Sequence, residues 1–396
     1  MKNITSGVLI AAIFFNSCST TMKTTENKPD MSVKDSTPAH NPLLQKSRLQ
    51  YEAPEFNKIK DADFQPAFEY GLQQHDAEIQ AIAGNPDQPT FDNTLVALEK
   101  SGEVLKRAQS IFYNLTSANT NPTLQKLEEE YAPVFAAHSD KIYLNSKLYQ
   151  RIKAINTSGL DAESKRLHEI YLQNFEIAGA ALSPEKKEEL KKINQELATL
   201  STQFSSKLLE ARKQGALIVD DAKALEGLST DEIAAAAADA KTAGYAGKYL
   251  IALQNTTQQP PLQNLKNRDT REKLFKASWY RAEKGDANDT RETITKMLAL
   301  RLKKAQLLGK KNFAEWKLQD QMAKTPEAAY QLMKQISEPA VETAKREEQE
   351  IQQLIKSQKG NFAVEPWDWN FYSEQVRKAK YDLDENQIKP YFEVTT

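Results

Sequence analysis

The sequence predicts a mainly α-helical protein carrying one small β patch, on three observations. Glycine is sparse, at 13 of 396 residues, while the strong helix formers Ala, Leu, Glu, Lys and Gln dominate long stretches. Apolar residues recur at helical spacing from Asp63 onward, in segments parted by short breaks such as the "GNP" of Gly84 to Pro86. Two runs, "GALIVDD" and "KYLIALQN", have the texture of strands, and they flank the helical stretch "STDEIAAAAADAKTAG", which predicts a small hairpin or two-stranded patch. With 40% hydrophobic residues the chain can bury a large core. Its 53 basic and 54 acidic residues leave a formal net charge of -1 with no long basic block. That argues against nucleic acid as a partner, because phosphate neutralisation needs clustered Lys and Arg.

The first element is a targeting segment. Lys2 precedes the apolar run "GVLIAAIFF", which is too short to span a bilayer and fits the hydrophobic region of a secretory signal over residues 1–17. Cys18, the one cysteine of the chain, follows Ser17 and has no internal disulfide partner. It is either a free thiol discarded with the signal, or the lipidated first residue of a mature lipoprotein. In the second case "FFNSC" resembles a bacterial lipobox, from whose commonest residues Phe15 and Asn16 depart. Residues 18–45, polar and Thr/Lys-rich, read as a flexible tether. The expectation is a bacterial protein that is exported, either periplasmic or anchored to a membrane by acyl chains, each buried methylene contributing about 0.8 kcal/mol. No transmembrane span is needed.

The helices follow. Phe64, Phe68, Leu72, His75, Ile79 and Ile82 form one stripe, and Leu124, Leu127, Tyr131, Val134 and His138 a second. Ser183 and Pro184 are a capping serine and a proline at the first helical position, opening a helix through Leu190, Ile193, Leu197, Leu200, Phe204 and Leu208. The helix between the strand-like runs starts with the capping box Ser229 to Glu232 and ends at Gly244. Further helices are expected over Asp286 to Leu308, over Asn312 to Met322, and from Thr325-Pro326 onward with a kink at Pro339. Near Pro366 the texture changes, with Trp367, Trp369, Phe371 and Tyr372 close together. Each would contribute on the order of 1.5 to 3 kcal/mol if buried, so the cluster requires a partner surface. Asp384 with Gln387 reads as a capped helix start leading into Ile388, Tyr391 and Phe392, an element with nothing downstream to pack against.

Catalytic groupings are scarce. A zinc helix needs histidines at i and i+4 with a glutamate between; "HEIYL" supplies His168 and Glu169 but has Leu172 where the second histidine belongs. His75 and His138 sit on apolar stripes, where a hydrogen-bonded core histidine competes with a metal or catalytic role. No Gly-rich phosphate loop and no G-x-S-x-G elbow occur. The remaining candidate is "NTTQQPPL", a polar run after a strand-like one. Asn255, Thr256, Thr257, Gln258 and Gln259 either satisfy local backbone groups in a loop or line a channel and pair with a peptide backbone.

The runs "NTTQQPPLQNLKNRDTREKLFKASWYRAEKGDANDTRETI", "AQLLGKKNFAEWKLQDQMAKTPEAA" and "PWDWNFYSEQVRKAKYDLDENQIKPYFE", with "FDNTLVALEKSG" and "PVFAAHSDKIYLN" upstream, resemble bacterial peptidyl-dipeptidases of the thimet oligopeptidase family of zinc metallopeptidases. The resemblance extends from about Asn41 to Glu393. It implies one multi-helical lobe of a neurolysin-like or thimet-oligopeptidase-like ellipsoid, with a deep channel in which zinc-bound water removes C-terminal dipeptides from oligopeptides. In that family zinc is held by the two histidines of an H-E-x-x-H helix and by a later glutamate, while the intervening glutamate is the general base. This sequence ends before any of them, so no catalytic residue and no metal ligand carries over. The resemblance therefore implies a helical N-terminal lobe, or channel wall, over residues 46–365 and the start of the catalytic region, truncated, over 366–396. Zinc belongs to the complete enzyme, none is expected on this chain, and the chain is expected to be inactive alone, with a separately encoded C-terminal half as a candidate partner. The competing expectation is a non-catalytic, membrane-tethered helical peptide-binding lipoprotein.

Overall fold

The computed structural model describes residues 41–381 and 389–392. The signal, Cys18, most of the tether, and Asp384 and Gln387 lie outside the described residues. The chain divides into two compact units, the first from residues up to Phe204 with Thr293–Lys317, the second from Ser205–Glu292 with the residues from Leu318 onward.

The first unit is all helical. It contains α1 (Phe64–Gly84), α2 (Ala97–Lys100), α3 (Glu103–Ala118), α4 (Pro122–Tyr143), α5 (Ser146–Lys153) and α6 (Ala162–Ala178). The 31-residue α7 (Pro184–Gln214) follows, and the division between units falls within it. Local chemistry sets the starts. Side chains of Asn121, Asn145 and Asp161 accept from the backbone N–H three residues on, capping α4, α5 and α6. The Ser183 hydroxyl accepts from Lys186 N–H at the start of α7, as the sequence predicts. Phe68 is the hub of the core, meeting Phe112 edge-on at 5.1 Å and Phe135 edge-on at 4.9 Å. The second stripe and the first half of the first face this core, while Ile79 and Ile82 pack in a neighbouring cluster with Leu95 and Leu148. Val134 is 41% exposed and Phe135 is buried in its place, because at 100° per residue the stripe through Leu127 and Tyr131 passes over position 135.

The second unit holds the β patch. Strand β1 (Leu217–Val219) pairs antiparallel with β2 (Tyr249–Ile251), with Ile218 opposite Leu250. The connection between them is α8 (Thr230–Thr242), with the expected Ser229/Glu232 capping box and Gly244 just past its end at φ +89°. The next segment corrects the sequence reading: "NTTQQPPL" is not a loop but the first part of α9 (Asn255–Asn264), despite Pro260 and Pro261 inside it. Burial overrides local preference, since Leu262 and Leu265 are sealed in a core with Leu225, Ile251 and Leu274. After it come α10 (Arg268–Trp279), then α11 (Arg291–Leu307) and α12 (Phe313–Leu318), which fall almost wholly in the first unit, and then α13 (Pro326–Ser357) and α14 (Pro366–Tyr381) of the second. Two predicted helices are shorter than expected. The start of α11 is delayed from Asp286 because the Asp289 carboxylate accepts from the Arg291 backbone and guanidinium, and Thr290 N–H bonds the Ala282 carbonyl. α12 stops at Leu318, followed by a turn from Leu318 to Gln321 and by Lys324 at φ +62°. α13 continues through Pro339 as a single element.

The aromatic cluster finds the partner surface it requires within the unit. Tyr372 is buried against Ile351 and Ile355 of α13, with Phe362, Trp369 and Phe371 packed around them. The Arg268 guanidinium sits 4.3 Å from the Phe362 ring centre, and that of Arg271 sits 4.2 Å from the Phe371 ring centre. Both guanidiniums converge on Asp368, which is fully buried. Arg268 grips it through Nε and Nη2, the latter at 2.8 Å, and Arg271 donates through Nη2 at 2.8 Å. Asp368→Ala strands the buried Arg271 charge, so it should cost about 3–5 kcal/mol. Urea unfolding followed by tryptophan emission should show this as a lowered midpoint, and an unchanged midpoint would contradict it.

Candidate functional site

A cleft of about 600 Å³ opens in the second unit between the end of α7, the turn after β2, α9, α10 and α14. Its walls carry three kinds of group. Phe275 and Trp279, one turn apart on α10, stack at 5.5 Å with 12° between their planes, and Trp279 is 68% exposed, forming an aromatic shelf. Gln254, Gln258 and Asn370 bring amides. Arg212 and Arg281 bring guanidiniums, and among the described residues neither has a carboxylate within ion-pair distance. Arg281 Nη1 donates to the Ser278 carbonyl at 2.6 Å, while Arg212 Nε donates to the Leu253 carbonyl at 3.3 Å. The Ser278 hydroxyl donates to Gln258 Oε1 at 2.9 Å, so the Gln258 NH₂ is left as a donor. An apolar shelf with a few fixed polar groups suits an extended peptide. Nothing in its lining can act as a general base, since it contains no carboxylate, histidine or thiol.

The histidines are engaged elsewhere, within the first unit. His138 Nε2 and His75 Nδ1 share a hydrogen bond of 2.9 Å, and His75 Nε2 lies 3.2 Å from the Ser101 hydroxyl. His138 Nδ1 approaches Asp76 Oδ1 at 3.0 Å, without the alignment of a hydrogen bond. Burial lowers the pKa of both, favouring neutral imidazoles, one donating and the other accepting. Gly102 makes room for this pair: its φ is +71°, and a Cβ there would lie 2.6 Å from the His75 ring. His168 is buried, with Nε2 2.9 Å from the Ile152 carbonyl, tying α6 to α5. Among the described residues no three His, Cys, Asp or Glu side chains converge as metal ligands. The described residues do not fit a zinc ion.

Comparison with known proteins decides the family. Residues 262–396 match peptidase family M3. Over 360 residues the chain is 49% identical to the dipeptidyl carboxypeptidase of Salmonella typhimurium, covering 90% of this chain and 53% of that protein. The Escherichia coli dipeptidyl carboxypeptidase matches to the same extent, at 49% identity. Organellar oligopeptidase A of Arabidopsis thaliana is 30% identical over 372 residues, which is 91% of this chain and 46% of that protein.

The chain belongs to peptidase family M3.

It spans about half the length of the curated relatives it matches. Within this M3 chain the structure places Gln258 in the cleft, beside Ser278, while Cys18 and the side chains of Asn255, Thr256, Thr257 and Gln259 lie outside the described residues. Sequence reasoning missed Arg212, Phe275, Trp279 and Arg281. The signal available for three of them was the run "FKASWYR", where two aromatics one turn apart precede an arginine.

The M3 chain also buries an unusual charged group in its first unit. Asn194 donates to Asp140 Oδ1 at 2.8 Å and accepts from Lys304 Nζ at 2.7 Å, so the amide bridges the two. Burial raises the Asp140 carboxyl to about 6, and burial lowers the Lys304 amine to about 8. A carboxyl whose folded pKa is raised stabilises the fold below its unfolded pKa, and that contribution is lost as pH rises through the folded value. From about pH 4 to about pH 6 the buried carboxylate should therefore cost the native protein about 3 kcal/mol. Asp140→Asn should remove this decline, so its stability relative to the unsubstituted chain should rise across that window. Urea midpoints at pH 4, 5, 6 and 7 measure the effect, and parallel curves for the two proteins would refute it.

Proposed function

We propose that this chain supplies the peptide-holding front part of a zinc peptidyl-dipeptidase, an enzyme that removes dipeptides from the C-terminus of oligopeptides, and that the chain does not hydrolyse peptides by itself. The observation that carries the reading is the cleft of the second unit, whose shelf, amides and unpaired guanidiniums suit a peptide but include no general base. The identity to proteins named dipeptidyl carboxypeptidase supports the reaction class. That reaction class uses an H-E-x-x-H zinc helix, a run this sequence does not contain. The apolar run before Cys18 and the polar stretch after it support export and lipid attachment at Cys18, placing the protein in the periplasm or on a membrane of a bacterium.

The test is a peptide titration of the purified chain read by isothermal calorimetry. Oligopeptides should bind, and mass spectrometry should find no dipeptide released with or without added zinc. Release abolished by a chelator would overturn the inactive reading. Trp279→Ala and Gln258→Ala should each weaken peptide binding by about tenfold, equivalent to about 1.4 kcal/mol. Unchanged affinity in both variants would remove the cleft from the account. In a bacterial host fed radiolabelled fatty acid, label should enter the chain and be lost in Cys18→Ala, and label retained by that variant would refute attachment at Cys18.

A further inference from the structure

The hydrogen bonds inside the second unit's cleft leave donors facing its space. Arg281 Nη1 donates to the Ser278 carbonyl at 2.6 Å and to the Ser278 hydroxyl at 3.3 Å, and that hydroxyl donates in turn to Gln258 Oε1 at 2.9 Å. The chain of bonds runs from guanidinium to hydroxyl to amide and ends on the Gln258 NH₂, a donor. Arg281 Nε is buried and has no partner among the described residues. Arg212, on the last turn of α7, uses Nε on the Leu253 carbonyl at 3.3 Å, and among the described residues its two Nη groups have no acceptor.

No negative charge balances the two arginines. The described lining of the cleft includes neither Asp nor Glu. Carboxylates close to it in sequence are engaged elsewhere: Glu210 accepts from Gln214, Glu272 pairs with Lys276, and Asp289 pairs with Arg291. Both guanidiniums are half-buried, so each has lost part of its hydration without gaining a counter-ion. A cleft lined by one sign of charge focuses its field on whatever enters. The stacked rings of Phe275 and Trp279 beside them give apolar contact to a peptide of either charge.

What completes such a site supplies acceptors and negative charge together. A carboxylate does both, and its two oxygens match the fork of a guanidinium. In an extended peptide whose backbone meets the amides of the cleft, the carboxylate that reaches the wall is borne on a side chain. We propose that the cleft selects acidic oligopeptides, with Arg212 and Arg281 setting the preference by pairing with an Asp or Glu side chain of the ligand. The preference rests on the reading of the cleft as a peptide site and adds the sign of charge that the site favours.

The probes are two peptides of equal length with amidated C-termini, identical except for a central Glu or Gln beside a Phe, each titrated into the full chain by calorimetry. The Glu peptide should bind about tenfold more tightly, a charge-assisted hydrogen bond replacing a neutral one. Added salt should shrink that ratio. Arg212→Gln and Arg281→Gln should each reduce it by about threefold, and Arg212→Lys, which keeps the charge, should restore most of what Arg212→Gln loses. A purely structural role for the arginines would weaken both peptides alike and leave the ratio in place, which would overturn the proposal. Should Arg281→Gln lower the urea midpoint through loss of its bond to the Ser278 carbonyl, the two Arg212 variants and the salt dependence carry the test. Equal affinity of the unsubstituted chain for the two peptides would overturn the preference and leave the peptide cleft standing, whereas no binding of either would overturn both. A gain of the same size from a free C-terminus on the Gln peptide, lost in the same variants, would assign the arginines to the chain end and overturn the side-chain pairing.

Discussion

The second unit depends on one buried carboxylate. Asp368 has no contact with water, and two arginines of α10, Arg268 and Arg271, close on it. A buried charge is tolerated only when paired and fully hydrogen-bonded, which requires α14 to lie where both guanidiniums reach its first turn. The consequences spread outward from there. Arg271 also donates to the carbonyls of Leu265 and Lys266, so the same side chain that pairs with α14 fixes the end of α9. The guanidiniums lie over Phe362 and Phe371, turning a cluster of aromatic residues into the lining of an ion pair. The hydrogen bonds that Arg268 donates to Asp368 also raise the pKa of Arg268.

The cleft is a product of that arrangement. Its floor and walls come from elements the Asp368 network holds together: α9 with Gln258, α10 with Phe275 and Ser278, and α14 with Asn370. Binding groups are therefore mounted on rigid helices, which lowers the ordering cost when an extended ligand enters. Catalytic groups are a separate matter. The described histidines, His75, His138 and His168, lie in the first unit and bond to each other or to a backbone carbonyl, and burial favours the neutral form of the pair. Their hydrogen bonds tie the helices of that unit to one another.

The first unit shows the same economy of polar groups in a different form. Asp140, Asn194 and Lys304 are linked through a single amide, and the Lys304 ammonium sits 4.6 Å from the Trp316 ring centre. Trp316 in turn donates to the Ile177 carbonyl at 3.0 Å. Burial pushes both ionisable groups toward their neutral forms, and the amide and the ring are what make the charged forms tolerable near neutral pH.

The sequence by itself determined the helices and their starts, because these are set by residues within a few positions of one another. The capping asparagines, the Ser229/Glu232 box, the Ser183-Pro184 start and the apolar stripes all act locally, and the β patch was legible from two β-branched runs. The family was legible too, from long runs shared with its members. Tertiary structure alone decided the rest. It made a helix of "NTTQQPPL", because burial of Leu262 and Leu265 outweighs two prolines, and it supplied a cover for Trp367 to Tyr372 from arginines about a hundred residues away. It also gathered Arg212, Gln258 and Trp279 into one cleft, though they are far apart along the chain. Pairing a buried charge and closing a pocket are long-range events, and no window of neighbouring residues contains both partners.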